Sequence, residues 1–185
     1  MGLASVGLGL LIALVSWFAV YRGRLPLSPF HAIIATLLAI VAAFAQLVEG
    51  AGPGAWSTVL AVWLGIMTIF LALFRGQPDF SRWQAGALVL ALIALPLWYL
   101  SGNAATAALL ACLGEVALYG HVLRQRNVVH WSGVAVLQCL GSLRWLCSFM
   151  AIDRMSVTTA AYPLTLAGLC GIALVQQLFI RKNPR

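Results

Sequence analysis

Long apolar runs separated by short polar breaks organise this chain. Seven runs have about the 20 residues that a helix needs to cross a bilayer. They cover residues 2–21, 29–48, 57–74, 84–100, 104–123, 132–152 and 157–180. Most of the breaks contain Gly, Pro, Asn or Asp, which are typical of turns. The pattern therefore predicts an all-α polytopic membrane bundle of seven transmembrane helices.

Positive charge marks every second break. Nine of the eleven Lys and Arg residues lie at residues 22–24, 75–82, 124–126 and 181–185. Basic loops are retained on the cytoplasmic side of a membrane. We therefore expect an integral membrane protein with its N-terminus outside and its C-terminus cytoplasmic, in a bacterial inner membrane or another plasma membrane. Residues 2–21 lack a basic start and run directly into Arg22, so they predict a first span rather than a signal peptide.

Composition excludes two other classes of protein. The chain is 63% hydrophobic and 8% charged, with a mean hydropathy of +0.99, which leaves too few polar residues to cover a soluble domain. Its net charge of +7 comes from short clusters beside apolar runs rather than from a continuous basic stripe. We therefore expect a lipid bilayer as partner and no nucleic acid.

The spacing of the basic pairs predicts an internal repeat. Arg22 and Arg24 match Arg124 and Arg126 at an offset of 102 residues, and an offset of 106 aligns Gly65 with Gly171. These matches predict a 3-1-3 arrangement, with a first three-helix unit at 1–75, a linker with the fourth helix at 76–103, and a second unit with a cytoplasmic tail at 104–185. One intervening helix makes the two units parallel.

Several residues then occur in a familiar order. They are Leu118-Tyr119, residues 122–131, Trp145, Asp153, Tyr162-Pro163 and Gln176-Gln177-Leu178, with Phe44, Glu49-Gly50 and Gly65 in the first unit. This order resembles the SWEET sugar transporters, their half-size SemiSWEET relatives and the PQ-loop proteins. The family's Pro-Asn pair reads Pro163-Leu164 here. The resemblance implies seven helices in a 3-1-3 arrangement and transport of a small solute.

The resemblance also implies a substrate site. It places five side chains at facing positions of the second and third helices of the two units: Trp145, Trp63, Phe44, Tyr162 and Gln176. We expect them to line one central cavity, where aromatic faces stack on a solute and the amide orients it. Core packing is the alternative role for both tryptophans.

Two charged residues fall inside predicted spans. A charge at bilayer depth costs several kcal/mol, so it is kept where it faces a partner or a cavity. Glu115 and Arg144 are therefore expected to form a buried ion pair, or Arg144 to contact an amide such as Gln138, in an arrangement that locks spans five and six together. A gate or a substrate contact is the alternative. Pro96 and Pro163 interrupt spans four and seven and are candidate hinges.

Signals for catalysis are weak. The three His residues have no zinc or haem spacing, and the four Cys residues lie singly in apolar runs, which favours packing over a disulfide or metal site. We expect no catalytic residue, metal site or cofactor.

The sequence hypothesis is a carrier that moves a small neutral or weakly polar solute, such as a sugar, by alternating access. The alternative is a non-transporting membrane subunit or assembly factor that docks onto a larger complex. A homo-oligomer is compatible with either function.

The predicted topology can be tested by cysteine labelling in intact cells. Ala51→Cys and Asn103→Cys should react with an impermeant maleimide added outside, whereas Gln125→Cys should react only after permeabilisation. Labelling of Gln125→Cys from outside would reverse the predicted orientation.

Overall fold

A computed structural model describes residues 1–25, 27–76, 79–124 and 132–182 of the chain. These residues form seven α-helices and one 3-10 turn. The elements are α1 Gly2–Tyr21, α2 Pro29–Val48, the 3-10 turn Gly52–Ala55, α3 Trp56–Arg75, α4 Arg82–Ser101, α5 Ala104–Arg124, α6 Ser132–Phe149 and α7 Val157–Lys182. The predicted all-α class is confirmed, and each predicted run overlaps one helix. Residues 125–131, which include Gln125, and Arg185, all used above, lie outside the described residues.

Five helices are long and apolar enough to cross a membrane: α1, α2, α3 with the preceding 3-10 turn, α4 and α7. The described parts of α5 and α6 contain shorter apolar stretches, Ala104–Gly120 and Gly133–Phe149. Large apolar side chains cover the outside of the bundle, among them Leu3, Phe74 and Tyr99 at 76%, 83% and 88% exposure. Such a surface is compatible with an integral membrane protein.

Local sequence signals set several helix ends. Ser28 caps α2 by accepting a hydrogen bond from the His31 backbone, and Pro29 fills the first helical position. At the start of α4, Ser81 and Gln84 exchange side-chain and backbone hydrogen bonds as a capping box. Gly102 ends α4 with a φ of +63°, a conformation that favours glycine, and the chain turns directly into α5.

We call α1–α3 and α5–α7 the two trios of helices. Within the trios, α3 contacts α1 and α2, and α7 contacts α5 and α6. Between them, α1 contacts α6 and α2 contacts α5, while α4 lies against α2 and α5. The main core lies along the α2–α5–α7 side, where Leu38, Leu118 and Leu166 are buried.

Contacts between loops define the two ends of the bundle. At the end we call the basic end, the Arg75 guanidinium lies 4.9 Å from the Tyr21 ring centroid and Ser28 Oγ donates to the Asp79 carbonyl at 2.9 Å. At the opposite end, the Asp153 amide donates to the Ala51 carbonyl at 3.2 Å, and Ala45 packs with the start of α5. Successive helices therefore run between these two ends in alternate directions.

Close packing of α2 on α5 depends on Gly114. A Cβ built at Gly114 would lie 2.5 Å from Leu38 Cδ2, and Leu38 is fully buried. Gly114→Ala should therefore destabilise the protein by about 1–3 kcal/mol through overpacking. Thermal unfolding in detergent would measure this as a lower Tm.

Gly86→Ala is the matched control, because nothing lies within 4 Å of a Cβ built at exposed Gly86 on α4. It should leave the Tm unchanged or raise it, since Ala favours a helix over Gly by about 1 kcal/mol. Equal Tm values for the two variants would contradict the α2–α5 packing.

Candidate functional site

A buried guanidinium joins the two trios. Arg144 of α6 is only 7% exposed. Its Nε donates to Ser57 Oγ at 2.9 Å and its Nη2 donates to the Ser57 carbonyl at 2.6 Å. Its Cζ lies 4.6 Å from the Trp145 ring centroid, and it packs on α1 at Gly9, where an added Cβ would lie 3.0 Å from Cζ. Arg144 therefore contacts α1 and α3 from a helix of the other trio.

The buried carboxyl has a different partner. Glu115 of α5 is 5% exposed, and its Oε1 accepts a hydrogen bond from Tyr162 Oη at 2.8 Å. Tyr162 meets Trp145 edge to face, with ring centroids 5.7 Å apart and an interplanar angle of 90°. The expected direct ion pair is therefore wrong, because Glu115 and Arg144 each have another partner. The ring of Tyr162 contacts Glu115, the ring of Trp145 contacts Arg144, and the two rings contact each other.

A cavity of about 230 Å³ lies between α1, α3 and Arg144. Its α1 wall is made of Gly9, Ile12, Ala13, Ser16, Trp17 and Val20. Its α3 wall is made of Ala61, Leu64, Gly65 and Thr68, and Leu27 and Arg144 complete the lining. At about 30 Å³ per liquid water, this volume has room for several waters or one small organic molecule.

The cavity is elongated along α1. Its lining extends from Gly9 and Arg144 to Val20, and then to Leu27 just before α2. At 1.5 Å per residue, Gly9 and Val20 are about 16 Å apart along the helix axis. The cavity therefore runs from the middle of the bundle to its basic end, with Arg144 at its deep limit.

Few polar groups line this space. Trp17 Nε1 donates to Thr68 Oγ1 at 2.9 Å, and Thr68 Oγ1 in turn donates to the Leu64 carbonyl at 2.7 Å. Ser16 Oγ and Arg144 Nη1 make no hydrogen bond to any described residue. Most of the wall is apolar, so these two groups are the ones available to orient a bound molecule.

The opposite end of the bundle is closed by contacts between the trios. Ser148 Oγ donates to the Gly54 carbonyl at 2.7 Å, and Gln46 Nε2 donates to the Thr159 carbonyl at 3.3 Å. Gly54 also packs against Ile152, whose Cα would lie 2.9 Å from an added Cβ. The two trios are thus in direct contact at this end.

The five expected substrate-binding residues do not share this cavity. Trp145 and Tyr162 are buried in contact with each other, while Phe44 and Trp63 are 56% and 62% exposed on the outside of the bundle. Gln176 is half-buried near the end of α7. An outward Phe44 and Trp63 are suited to lipid contact, so the expected single aromatic cavity is not formed.

The remaining predicted residues have simpler positions. Gln138 is half-buried on α6, and the Arg144 guanidinium bonds to Ser57 instead of to it. Pro96 is exposed within α4, and Pro163 is buried within α7. Both helices continue past their prolines.

Sequence reasoning missed the groups that form the cavity. Small residues at Gly9 and Ala13 on α1, and at Ala61 and Gly65 on α3, recur every four positions, which puts each pair on one helix face. That spacing was a usable signal of helices that meet without large side chains. Trp17 gave no signal of a cavity, because tryptophan is common near the ends of spans, where it lies at the membrane–water interface.

The described residues offer no evident metal centre. They bring together no group of three His, Cys, Asp or Glu side chains, and all four cysteines are free. Comparison of the chain with protein-family models, curated proteins and solved structures found no match.

The Tyr162–Glu115 hydrogen bond can be tested by removing its donor. Tyr162→Phe should lower the free energy of unfolding in detergent by about 1–3 kcal/mol, because a buried carboxyl loses its partner. Tyr99→Phe is the control, since Tyr99 is 88% exposed, and it should have little effect. Equal losses for the two variants would show that the bond is not formed.

Proposed function

We propose that this chain is a small membrane carrier that works by alternating access, with the cavity between α1, α3 and Arg144 as its solute site. The proposal keeps the carrier function expected from the sequence and replaces the five-residue site. The observation that carries it is a cavity that reaches one end of the bundle while contacts between the two trios close the other end.

Two hydrogen bonds support a 3-1-3 repeat. Trp17 on α1 bonds Thr68 on α3, and Tyr119 on α5 bonds Cys170 on α7. Both members of the second pair lie 102 positions after their counterparts, the offset of the Arg22 and Arg124 pairs. This offset favours Ala167, rather than Gly171, as the counterpart of Gly65.

The contacts between helices also fit a repeat of α1–α3 in α5–α7. If α1, α2 and α3 are exchanged with α5, α6 and α7, the contact of α1 with α6 becomes the contact of α5 with α2, and both occur. The α3 and α7 helices occupy equivalent middle places in their trios. Two parallel units around a central axis would give this pattern, and rocking one unit against the other would move the opening between ends.

The closed end has features suited to opening. Within the described residues, Gln46 Oε1 and Thr58 Oγ1 are buried there without a hydrogen-bond partner. Unsatisfied buried polar atoms cost free energy, and water reaching an opened end would satisfy them. This lowers the cost of separating the trios at that end relative to a fully satisfied interface.

We place the carrier in a plasma membrane, with the basic end cytoplasmic by the positive-inside rule. This places the N-terminus outside and opens the cavity to the cytoplasm. The small volume and mostly apolar wall favour a solute smaller than a typical drug. The order of residues resembling the SWEET and PQ-loop proteins is in keeping with this function.

The carrier can be tested without knowing its solute. Ser16 lines the cavity and Ser5, on the same face of α1, is fully buried near the closed end. In proteoliposomes of one orientation, Ser16→Cys should react with an impermeant thiol reagent from the basic end. Ser5→Cys should react more slowly from the opposite end, because a carrier opens that end transiently.

The parent protein, with its four natural cysteines, sets the background rate. If Ser5→Cys reacts no faster than this background while Ser16→Cys is labelled, the closed end does not open, and a static docking subunit becomes the better hypothesis. Labelling of both positions only from the opposite end would contradict the orientation of the cavity.

A further inference from the structure

We propose that the cavity binds a small organic monoanion, with its carboxylate held by Arg144. The inference rests on the proposed function only in taking the bound molecule to be the one transported. It differs from the neutral or weakly polar solute expected from the sequence. The charge balance of the cavity, its shape and the groups near its opening support this assignment.

Arg144 brings a positive charge into the cavity wall without a neighbouring negative charge. It bonds the hydroxyl and carbonyl of Ser57 and lies over the Trp145 ring, and all three groups are neutral. Among the described residues, no carboxylate lies within ion-pair distance of it, and Glu115 bonds Tyr162 instead. A buried cation without a paired anion is costly, so an anionic ligand would supply the missing charge.

The guanidinium retains donors for such a ligand. Nε and Nη2 bond Ser57, which fixes the plane of the group, while Nη1 makes no hydrogen bond to the described residues and Arg144 borders the cavity. Nη2 also has a second hydrogen, so Nη1 and Nη2 together can donate two parallel hydrogen bonds to a carboxylate. The unengaged Ser16 hydroxyl lies in the same cavity, about 10 Å further along α1 than Gly9, where it can bond a ligand that extends that far.

The walls limit the ligand class. Arg144 is the only charged residue among the described residues of the lining, so one negative charge is matched and a second would remain unpaired. Ile12, Val20 and Leu64 make much of the remaining surface apolar. A carboxylate on a short carbon body fits these walls better than a sugar, whose several hydroxyls would lack partners.

Arginines near the opening would attract the same ligand. Arg22 and Arg24 come just after α1. Arg75 lies over the ring of Tyr21, which is the last residue of α1. Positive charge around a cleft raises the local concentration of anions. These arginines attract anions even if they also set the orientation of the chain in the membrane.

The test compares lactate with lactamide, which differ in charge at nearly equal size. Calorimetric titration of the purified protein in detergent at pH 7 should show lactate binding about tenfold or more tightly than lactamide, as expected for hydrogen bonds to a charged group. Arg144→Gln should remove this preference. Arg144→Lys should keep part of it, because the charge remains but the two-nitrogen geometry is lost.

Arg82→Gln is the charge-matched control, since Arg82 is exposed and outside the cavity lining. It should bind lactate like the parent protein. Because Arg144→Gln also removes bonds to Ser57 and can fail to fold, Ser16→Phe provides a second variant. It fills the cavity, leaves those bonds in place, and should abolish lactate binding.

Equal binding of lactate and lactamide, or unchanged lactate binding in a folded Arg144→Gln or Ser16→Phe variant, would overturn the inference. Counterflow of labelled lactate and of labelled glucose in proteoliposomes then tests the anion site and the carrier function separately. Lactate that binds but does not exchange contradicts the carrier and leaves the anion site standing. Exchange of glucose without lactate binding supports the carrier and rejects the anion site.

Discussion

The contact of Arg144 with Ser57 is the interaction on which the arrangement of this bundle depends. It is a charge-assisted link, largely shielded from solvent, between a helix of one trio and the first turn of α3 in the other. A buried guanidinium without hydrogen-bond acceptors costs much free energy. The need to keep the bonds to Ser57 therefore holds α6 in place relative to α3. Gly9 lets α1 approach the same guanidinium. The deep limit of the cavity follows from these contacts.

The two trios contain similar hydrogen bonds but differ in what packs around them. Trp17 and Thr68 join α1 to α3 beside the cavity, whereas Tyr119 and Cys170 join α5 to α7 at the main core. The difference arises from what the neighbouring α2 and α6 contribute. Leu38 of α2 packs tightly into the α5 side at Gly114, whereas α6 presents the Arg144 guanidinium to the α1 side. The cavity described above therefore lies on the α1–α3 side of the bundle.

The sequence predicted the helices well and the site poorly, for different physical reasons. Residues 2–21 and 29–48 were predicted with the bounds that α1 and α2 have, because a long apolar run ended by a polar turn is a local signal. The burial of Glu115 and Arg144 also followed locally, from their place inside apolar runs. Their partners did not. Rotation about a helix axis determines whether Phe44 or Trp63 faces lipid or core, and an apolar side chain suits both surroundings, so hydrophobicity alone does not reveal it.

By itself, the sequence determined an all-α chain of apolar helices with two charges held inside it, since these properties depend on composition and on spacing along the chain. Only the tertiary structure decided that Arg144 bonds Ser57, that Glu115 bonds Tyr162, and that Trp145 and Tyr162 lie between the two charges. Ser57 and Arg144 are 87 positions apart, and Glu115 and Tyr162 are 47 apart. Pairings over such separations depend on how whole helices pack, which no local pattern specifies.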